Sequence, residues 1–107
     1  MLFRVGPLPE HPLDAASVFH AAILPRLRAA EGTVITCLFD PADHAHGDWR
    51  KAAIRCLARN MAPRRINAIV SDDAAATAAA EAWLAIAEGI TGQYLSLDSA
   101  GAGKVLG

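Results

Sequence analysis

The sequence predicts an α/β protein with three layers, α/β/α, built on a short parallel sheet of three to four strands. Short, almost continuously apolar segments indicate strands that are covered on both faces, as in parallel sheets. Segments with helical spacing of apolar residues separate these strands, and right-handed crossovers would place helices on both faces of the sheet. The 107 residues, 53% of them hydrophobic, are enough for one core and predict one domain, 1–107.

The first strand is predicted at residues 2–5 and the first helix at 14–30. Asp14 is a favoured N-cap, and Leu13 and Val18 have the spacing of a hydrophobic staple. Apolar residues continue at helical period to Leu27, after which Gly32 ends the helix. Pro25 removes one backbone hydrogen bond, so we expect a kink or a local opening of the helix there.

Strands and helices continue to alternate along the rest of the chain. The segment TVITCLF is apolar and β-branched, which is typical of a buried strand. Aspartates precede both later helical segments, and aspartate is a favoured N-cap. The predicted strands are 33–39, 66–70 and 93–97, and the predicted helices are 48–62, capped by Asp48, and an alanine-rich segment capped within Ser71-Asp72-Asp73 that ends near Gly89.

Composition excludes several function classes. A net charge of −1 provides little long-range attraction, so no nucleic-acid partner is predicted, although Lys51, Arg55 and Arg59 form a basic stripe at helical spacing. No apolar run reaches the length of a membrane span and the N-terminus does not read as a signal peptide, so we expect a cytoplasmic protein. Cys37 and Cys56 lack metal-site spacing and are predicted to be reduced core residues.

One loop combines side chains that can ligate a metal: Asp40, Asp43, His44 and His46. The alternative is a solvated loop in which Asp43 or Asp48 caps the next helix, and we favour it because the spacing matches no known metal motif, so no metal is predicted. Open α/β sheets place their sites at the carboxyl ends of the strands. The loop, together with Ser71, Asp72 and Asp98, is therefore the candidate for a small-ligand or enzymatic site.

Four segments of the second half occur in a recognisable order: KAAIRCLARNMAP at 51–63, RINAIV at 65–70, AWLA at 82–85 and ITGQYLSLD at 90–98. Together they resemble the C-terminal half of the short-chain dehydrogenase/reductase (SDR) family. Less distinctive segments extend the similarity over roughly residues 20–100. The resemblance implies a partial Rossmann-like fold and a truncated member of this family.

The same resemblance implies that the catalytic groups are missing. If Lys51 takes the place of the lysine in the family's Tyr-x-x-x-Lys pair, Gly47 stands where the proton-transferring tyrosine belongs. The family's serine would lie near the end of strand 33–39, where the chain has Cys37, Leu38 and Phe39. Ser71-Asp72 replaces a Pro-Gly pair, and no glycine-rich phosphate turn occurs. We therefore predict no catalytic residues and no cofactor, and Lys51 is either a vestige or a member of the solvated basic stripe.

The predicted function is that of a non-catalytic structural or interaction protein. Relatives in the family pair equivalent helices in a four-helix bundle, so we expect a homodimer through helices 14–30 and 48–62. A different protein partner is the alternative. The interface candidates, chosen from the apolar positions of the two helices, are Phe19, Ile23, Trp49, Ala53 and Cys56.

Overall fold

The computed structural model describes residues 1–97 and 105–106, which form one sheet in the order β1-β2-β3-β4-β5. Strands β1 to β4 are parallel, as predicted, and β5 pairs antiparallel with β4. The strands are β1 Leu2–Arg4, β2 Val34–Phe39, β3 Arg65–Val70, β4 Tyr94–Leu97 and β5 Val105–Leu106; the helices are α1 Pro12–Val18, α2 Leu24–Ala29, α3 Gly47–Asn60 and α4 Ala74–Ile86. A π-helical turn, Phe19–Ile23, joins α1 to α2, and a 3₁₀ turn, His44–His46, precedes α3.

Helices cover both faces of the sheet, which confirms the predicted three layers. Side chains alternate between the faces along each strand, so Phe39 and its neighbour Val70 lie on the face of α1 to α3, whereas Leu38 and Ile69 lie under α4. The larger cluster also includes Phe19, Leu27, Ile54 and Ile66, all fully buried. The smaller cluster is completed by Ala80, Leu84 and Leu95.

The three crossovers do not all have the same hand. Each crossover moves one strand further in the same direction across the sheet, because β1 to β4 lie in sequence order. Crossovers of one hand would then place every helix on one face. Since α4 lies on the face opposite to α1 to α3, the third crossover has the opposite hand to the first two. The prediction of uniformly right-handed crossovers is wrong.

The predicted opening at Pro25 is present as the π-helical turn. Pro25 has no N–H to offer the carbonyl four residues earlier, and its ring crowds that carbonyl. The helix opens just upstream, where the Leu24 N–H bonds to the Phe19 carbonyl five residues back. The helix also begins two residues earlier than predicted: His11 is its N-cap, because Pro12 suits the first helical position, and Asp14 lies in the first turn.

The π-helical turn keeps one side of the segment on the sheet. Ala15, Phe19, Ile23 and Leu27 are spaced by four residues and all are buried. In a regular helix each such step overshoots a full turn by about 40°, so three steps would rotate Leu27 about 120° away from Ala15. One extra residue in the turn removes most of this rotation. The four side chains therefore contact the same face of the sheet.

The two cysteines have different environments. Cys37 is fully buried in β2, and burial raises the pKa of its thiol to about 12, so it stays protonated and unreactive at neutral pH. Cys56 is exposed on α3, so the prediction that both cysteines belong to the core is wrong for Cys56. Within residues 1–97, no helix is both long and apolar enough to cross a membrane.

Candidate functional site

Two clefts open at the carboxyl edge of the parallel strands, one on each face of the sheet. The cleft on the side of α3, about 410 Å³, is lined by Gly6–Glu10, Asp40–Asp43, His46 and Arg50. The cleft on the side of α4, about 430 Å³, is lined by Leu2, Arg4, Leu38, Asp40, Ser71–Ala74 and further residues of α4. Both volumes lie within the range of about 300–1,000 Å³ that is usual for ligand pockets.

The structure divides the predicted ligand candidates between these clefts. Asp40, Asp43 and His46 line the α3-side cleft, and Asp40 also lines the α4-side cleft together with Ser71 and Asp72. The side chain of His44 is exposed, and Asp98 lies outside the described residues. In the described part of the chain, no group of three or more His, Cys, Asp or Glu side chains is arranged to hold a metal ion.

Local hydrogen bonds already occupy several of these side chains. The Asp43 carboxylate accepts the Ala45 N–H at 3.0 Å and so caps the 3₁₀ turn, whereas Asp48 lies in the first turn of α3 without a capping bond. The Ser71 hydroxyl accepts the Asp73 N–H at 3.1 Å. Asp73 in turn caps α4 by accepting the N–H groups of Ala75 and Ala76. These local hydrogen bonds are sufficient to explain why aspartate and serine residues follow the strands.

His46 is buried and uses both ring nitrogens. Its Nδ1 accepts the indole N–H of Trp49 at 3.1 Å, and its Nε2 lies 2.8 Å from the Glu10 carbonyl. An indole can only donate, so Nδ1 carries no hydrogen and Nε2 is the donor to Glu10. The imidazole therefore joins the segment after β1 to the start of α3, and neither nitrogen remains for a metal.

Arg50 is the principal buried polar side chain that the sequence pattern did not predict. Only 5% of its surface is exposed, and its Nη1 donates to the Asp40 carbonyl at 3.0 Å and to the Tyr94 hydroxyl at 3.4 Å. The guanidinium carbon lies 4.6 Å from the centre of the Phe39 ring, a cation–π contact. Within the described residues the buried Nε has no hydrogen-bond partner. The spacing of Arg50 relative to apolar residues could have indicated that it is buried, because positions 50, 53, 54 and 57 lie on one side of an amphipathic helix.

Phe39 is the centre of an aromatic cluster at the carboxyl end of β2. Its ring centre lies 5.8 Å from that of Phe19 and 6.1 Å from those of Trp49 and Tyr94. Phe39 is one of the three residues at which the SDR resemblance places a serine; the other two, Cys37 and Leu38, also lack a hydroxyl. Apolar rings and the buried Arg50 therefore fill this end of the strand on the α3 side.

Gly47, which the resemblance places at the tyrosine position, begins α3 with ordinary helical backbone angles. A Cβ added there would meet no atom within 4 Å, so packing does not require glycine at this point. Lys51 lies one helical turn further on and is exposed. If Lys51 corresponds to the lysine of the family's pair, it has no neighbouring tyrosine hydroxyl one turn earlier on this helix.

The residues present do not fit the family's dinucleotide cofactor. Asp40, Asp72 and Asp73 line the α4-side cleft, where the guanidinium of Arg4 is the opposing charge. Glu81 also lines this cleft, but its carboxylate lies 4.0 Å from the N-terminal amine. The excess of negative charge opposes the binding of a diphosphate, and no glycine-rich turn compensates for it.

The interface candidates differ in exposure. Phe19, Ile23 and Ala53 are buried against the chain's own sheet, and Trp49 is half-buried in the aromatic cluster. Cys56 is exposed and lines a groove of about 210 Å³ between α2 and α3. The surface of α1 to α3 that remains accessible to another molecule therefore consists of the α2–α3 groove and the exposed residues around it.

The family model described as short chain dehydrogenase-like protein (SDR-like) matches residues 3–97. Comparisons with curated proteins and with solved structures give no match. The matched segment includes β2 to β4, all of β1 except Leu2, and all the helices described above, and it agrees with the SDR resemblance of the sequence motifs. This chain therefore belongs to the SDR-like family.

Proposed function

We propose that the chain is a non-catalytic SDR-like protein that acts by assembly, as a homodimer, and not by redox chemistry. The observation that carries the proposal is the replacement of the family's reactive groups at the carboxyl end of β2 and the start of α3. Phe39 fills the strand end within an aromatic cluster, and Gly47 stands at the tyrosine position. Neither residue can transfer a proton or hold a carbonyl by a hydrogen bond.

The first test is binding of NADH and NADPH. We expect no saturable change in nicotinamide fluorescence up to about 1 mM cofactor, the upper end of typical enzyme substrate constants. The carboxylates of the α4-side cleft repel the cofactor's diphosphate, which is the physical reason for this result. Saturable binding at micromolar cofactor would contradict the non-catalytic assignment.

The Gly47→Tyr variant makes this test sharper. It restores a hydroxyl four residues before Lys51 without a steric conflict at Cβ. Because Phe39 still fills the strand end, we expect this variant to bind no cofactor either. Cofactor binding or turnover that the variant gains would mean that Gly47 alone accounts for the lost chemistry.

The dimer is supported by the apolar surface of α1 and the neighbouring groove. Leu13 is 76% exposed and Val18 is 39% exposed, and the α2–α3 groove with Cys56 lies on the same side of the sheet. Burial of apolar surface contributes roughly 25 cal/mol per Å² to association. A second copy placed on these helices would cover both side chains and the groove.

We expect light scattering at micromolar concentration to give a mass near twice the 11.2 kDa of one chain. Val18→Asp should shift this mass to that of a monomer, because a charge would be buried in the interface. Ile86→Asp is the matched control: Ile86 is 78% exposed, but on α4, on the opposite face of the sheet. A monomeric natural chain, or dissociation by Ile86→Asp alone, would contradict the proposed interface.

The second candidate function is small-ligand binding around the Asp40–His46 loop. The size of the α3-side cleft favours it. However, His46 and Asp43 already make structural hydrogen bonds, so the loop offers the carboxylate of Asp40 and little else to a ligand. We therefore rank this candidate below assembly.

A further inference from the structure

A groove with a basic lining runs along the flank of α3 that faces residues 91–94. Its first part, about 180 Å³, is lined by Lys51, Arg55, Gly92, Gln93 and Tyr94. Its second part, about 380 Å³, continues past Arg55, Gly92 and Gln93 to Arg59 and Thr91. Neither part is lined by a carboxylate from the described residues. We call this depression the basic groove.

The cations of the basic groove are not used to hold the fold. In residues 1–97, Lys51 and Arg55 make no side-chain hydrogen bond or ion pair, and Arg59 donates only to the Cys56 sulfur at 3.6 Å. Arg64 and Arg65, which follow α3 in the chain, behave differently: Arg64 donates to the Gly32 carbonyl and Arg65 to the Leu84 carbonyl. Like charges one turn apart on a helix repel each other. The stripe therefore opposes helix formation unless an anion neutralises it.

The wall of the groove opposite α3 is rigidly placed. Asn67 is fully buried and its amide fixes this segment by accepting the Gln93 N–H at 3.1 Å and donating to the Ile90 carbonyl at 3.0 Å. Gly92 has a φ of +76°, and a Cβ there would lie 3.4 Å from the Ala58 side chain, so the segment packs directly on α3. These contacts hold Gln93 and Tyr94 beside Lys51 and Arg55.

A buried charge reinforces this wall. The Tyr94 hydroxyl accepts a hydrogen bond from Arg50 Nη1, which leaves the hydroxyl hydrogen for another acceptor. Because Arg50 is buried and bonded to uncharged oxygens, its positive charge is not cancelled by a carboxylate among the described residues. The first part of the groove thus combines two exposed cations, Gln93 and Tyr94, and the buried Arg50 cation is bonded to the tyrosine.

We propose that the basic groove binds a ligand with three or more linked phosphoryl groups, which is more than the two of a dinucleotide cofactor. The first part of the groove is smaller than the roughly 300 Å³ of ordinary ligand pockets, so it accommodates one small anionic group against Lys51, Arg55 and Tyr94. Lys51 and Arg59 are eight residues apart, about 12 Å along the helix axis, so one phosphate cannot reach both. The far end of a chain of three or more phosphoryl groups would occupy the part of the groove that Arg59 lines.

The test is isothermal titration calorimetry in a phosphate-free buffer with two probes, inorganic phosphate and tripolyphosphate. We expect tripolyphosphate to bind about tenfold more tightly than phosphate, because it adds charge-assisted hydrogen bonds along the groove. Lys51→Gln should weaken both probes by about fivefold or more, whereas Arg59→Gln should weaken tripolyphosphate and leave phosphate unchanged. Thermal unfolding of each variant checks that these exposed substitutions leave the fold intact.

Arg26→Gln is the matched control, since Arg26 is an exposed arginine on α2 that lines neither the basic groove nor the α2–α3 groove. We expect it to change tripolyphosphate affinity by less than about twofold. Equal weakening by Arg26→Gln would show attraction to overall charge and would overturn the proposal. Absence of binding heat with both probes, or equal affinity for phosphate and tripolyphosphate, would overturn it as well.

Discussion

Phe39→Ala is expected to lower the free energy of unfolding by about 3–5 kcal/mol, the usual cost of removing a buried phenyl ring. Phe39 is fully buried and contacts rings from two helical segments and from β4, so its loss leaves a cavity that no single neighbour can fill. A domain of this size typically has about 5–15 kcal/mol of stability in total. Urea unfolding followed by tryptophan fluorescence measures the change directly.

Ile86→Ala is the control for Phe39→Ala. The Ile86 side chain is 78% exposed, so its truncation should change stability by less than about 0.5 kcal/mol. A loss below about 1 kcal/mol for Phe39→Ala would mean that the aromatic cluster is not tightly packed. The packing of aromatic rings at the carboxyl end of β2 would then give weaker support to the non-catalytic assignment.

Arg50→Ala is expected to cost about 2–4 kcal/mol. The change removes the donor to the Asp40 carbonyl and the Tyr94 hydroxyl, and it uncovers the Phe39 ring. Lys51→Ala is the matched control, because the adjacent side chain is exposed and makes no bond within the described residues. We expect its effect on denaturant unfolding to be below about 0.5 kcal/mol. Equal effects of the two changes would contradict a structural role for Arg50.

Arg50→Met separates packing from hydrogen bonding at the same position. Methionine keeps a long flexible stem over Phe39 and removes the buried Nε that lacks a partner. We therefore expect it to cost less than Arg50→Ala. If both variants lose the same stability, the hydrogen bonds to Asp40 and Tyr94 account for the effect, and packing does not.

The four parallel strands and the helices could be predicted from the sequence because each carries a local signal. Apolar, β-branched runs place β2 and β3 within one residue of their observed starts. The start of the first helix carries two competing local signals, His11-Pro12 and Asp14, and only the fold decides between them. The antiparallel strand β5 has two residues, too few for a periodic pattern. The hand of the third crossover depends on which face α4 covers, which has no local signal.

The candidate site was predictable in part. The spacing of the SDR-like sequence motifs identified Gly47 and the end of β2 as positions that lack the reactive groups of the family. It could not show that Phe39, Trp49 and Arg50 fill this region together, because their contacts join β2 to α3 across the fold. For the same reason, the sequence indicated His46 as a possible metal ligand, whereas its hydrogen bonds to Glu10 and Trp49 show that it has a structural role.

The π-helical turn at Phe19–Ile23 affects how the helical segment from α1 to α2 can change in length. With 3.6 residues per turn, eleven regular helical residues would bring Leu27 back to within about 20° of Ala15, and the chain uses twelve. One residue of the segment is therefore surplus to its packing. A relative that lacked either exposed alanine, Ala21 or Ala22, and had a residue other than proline in place of Pro25 could keep the same buried side with an uninterrupted helix. This segment can thus shorten by one residue in evolution without rebuilding the core that it covers.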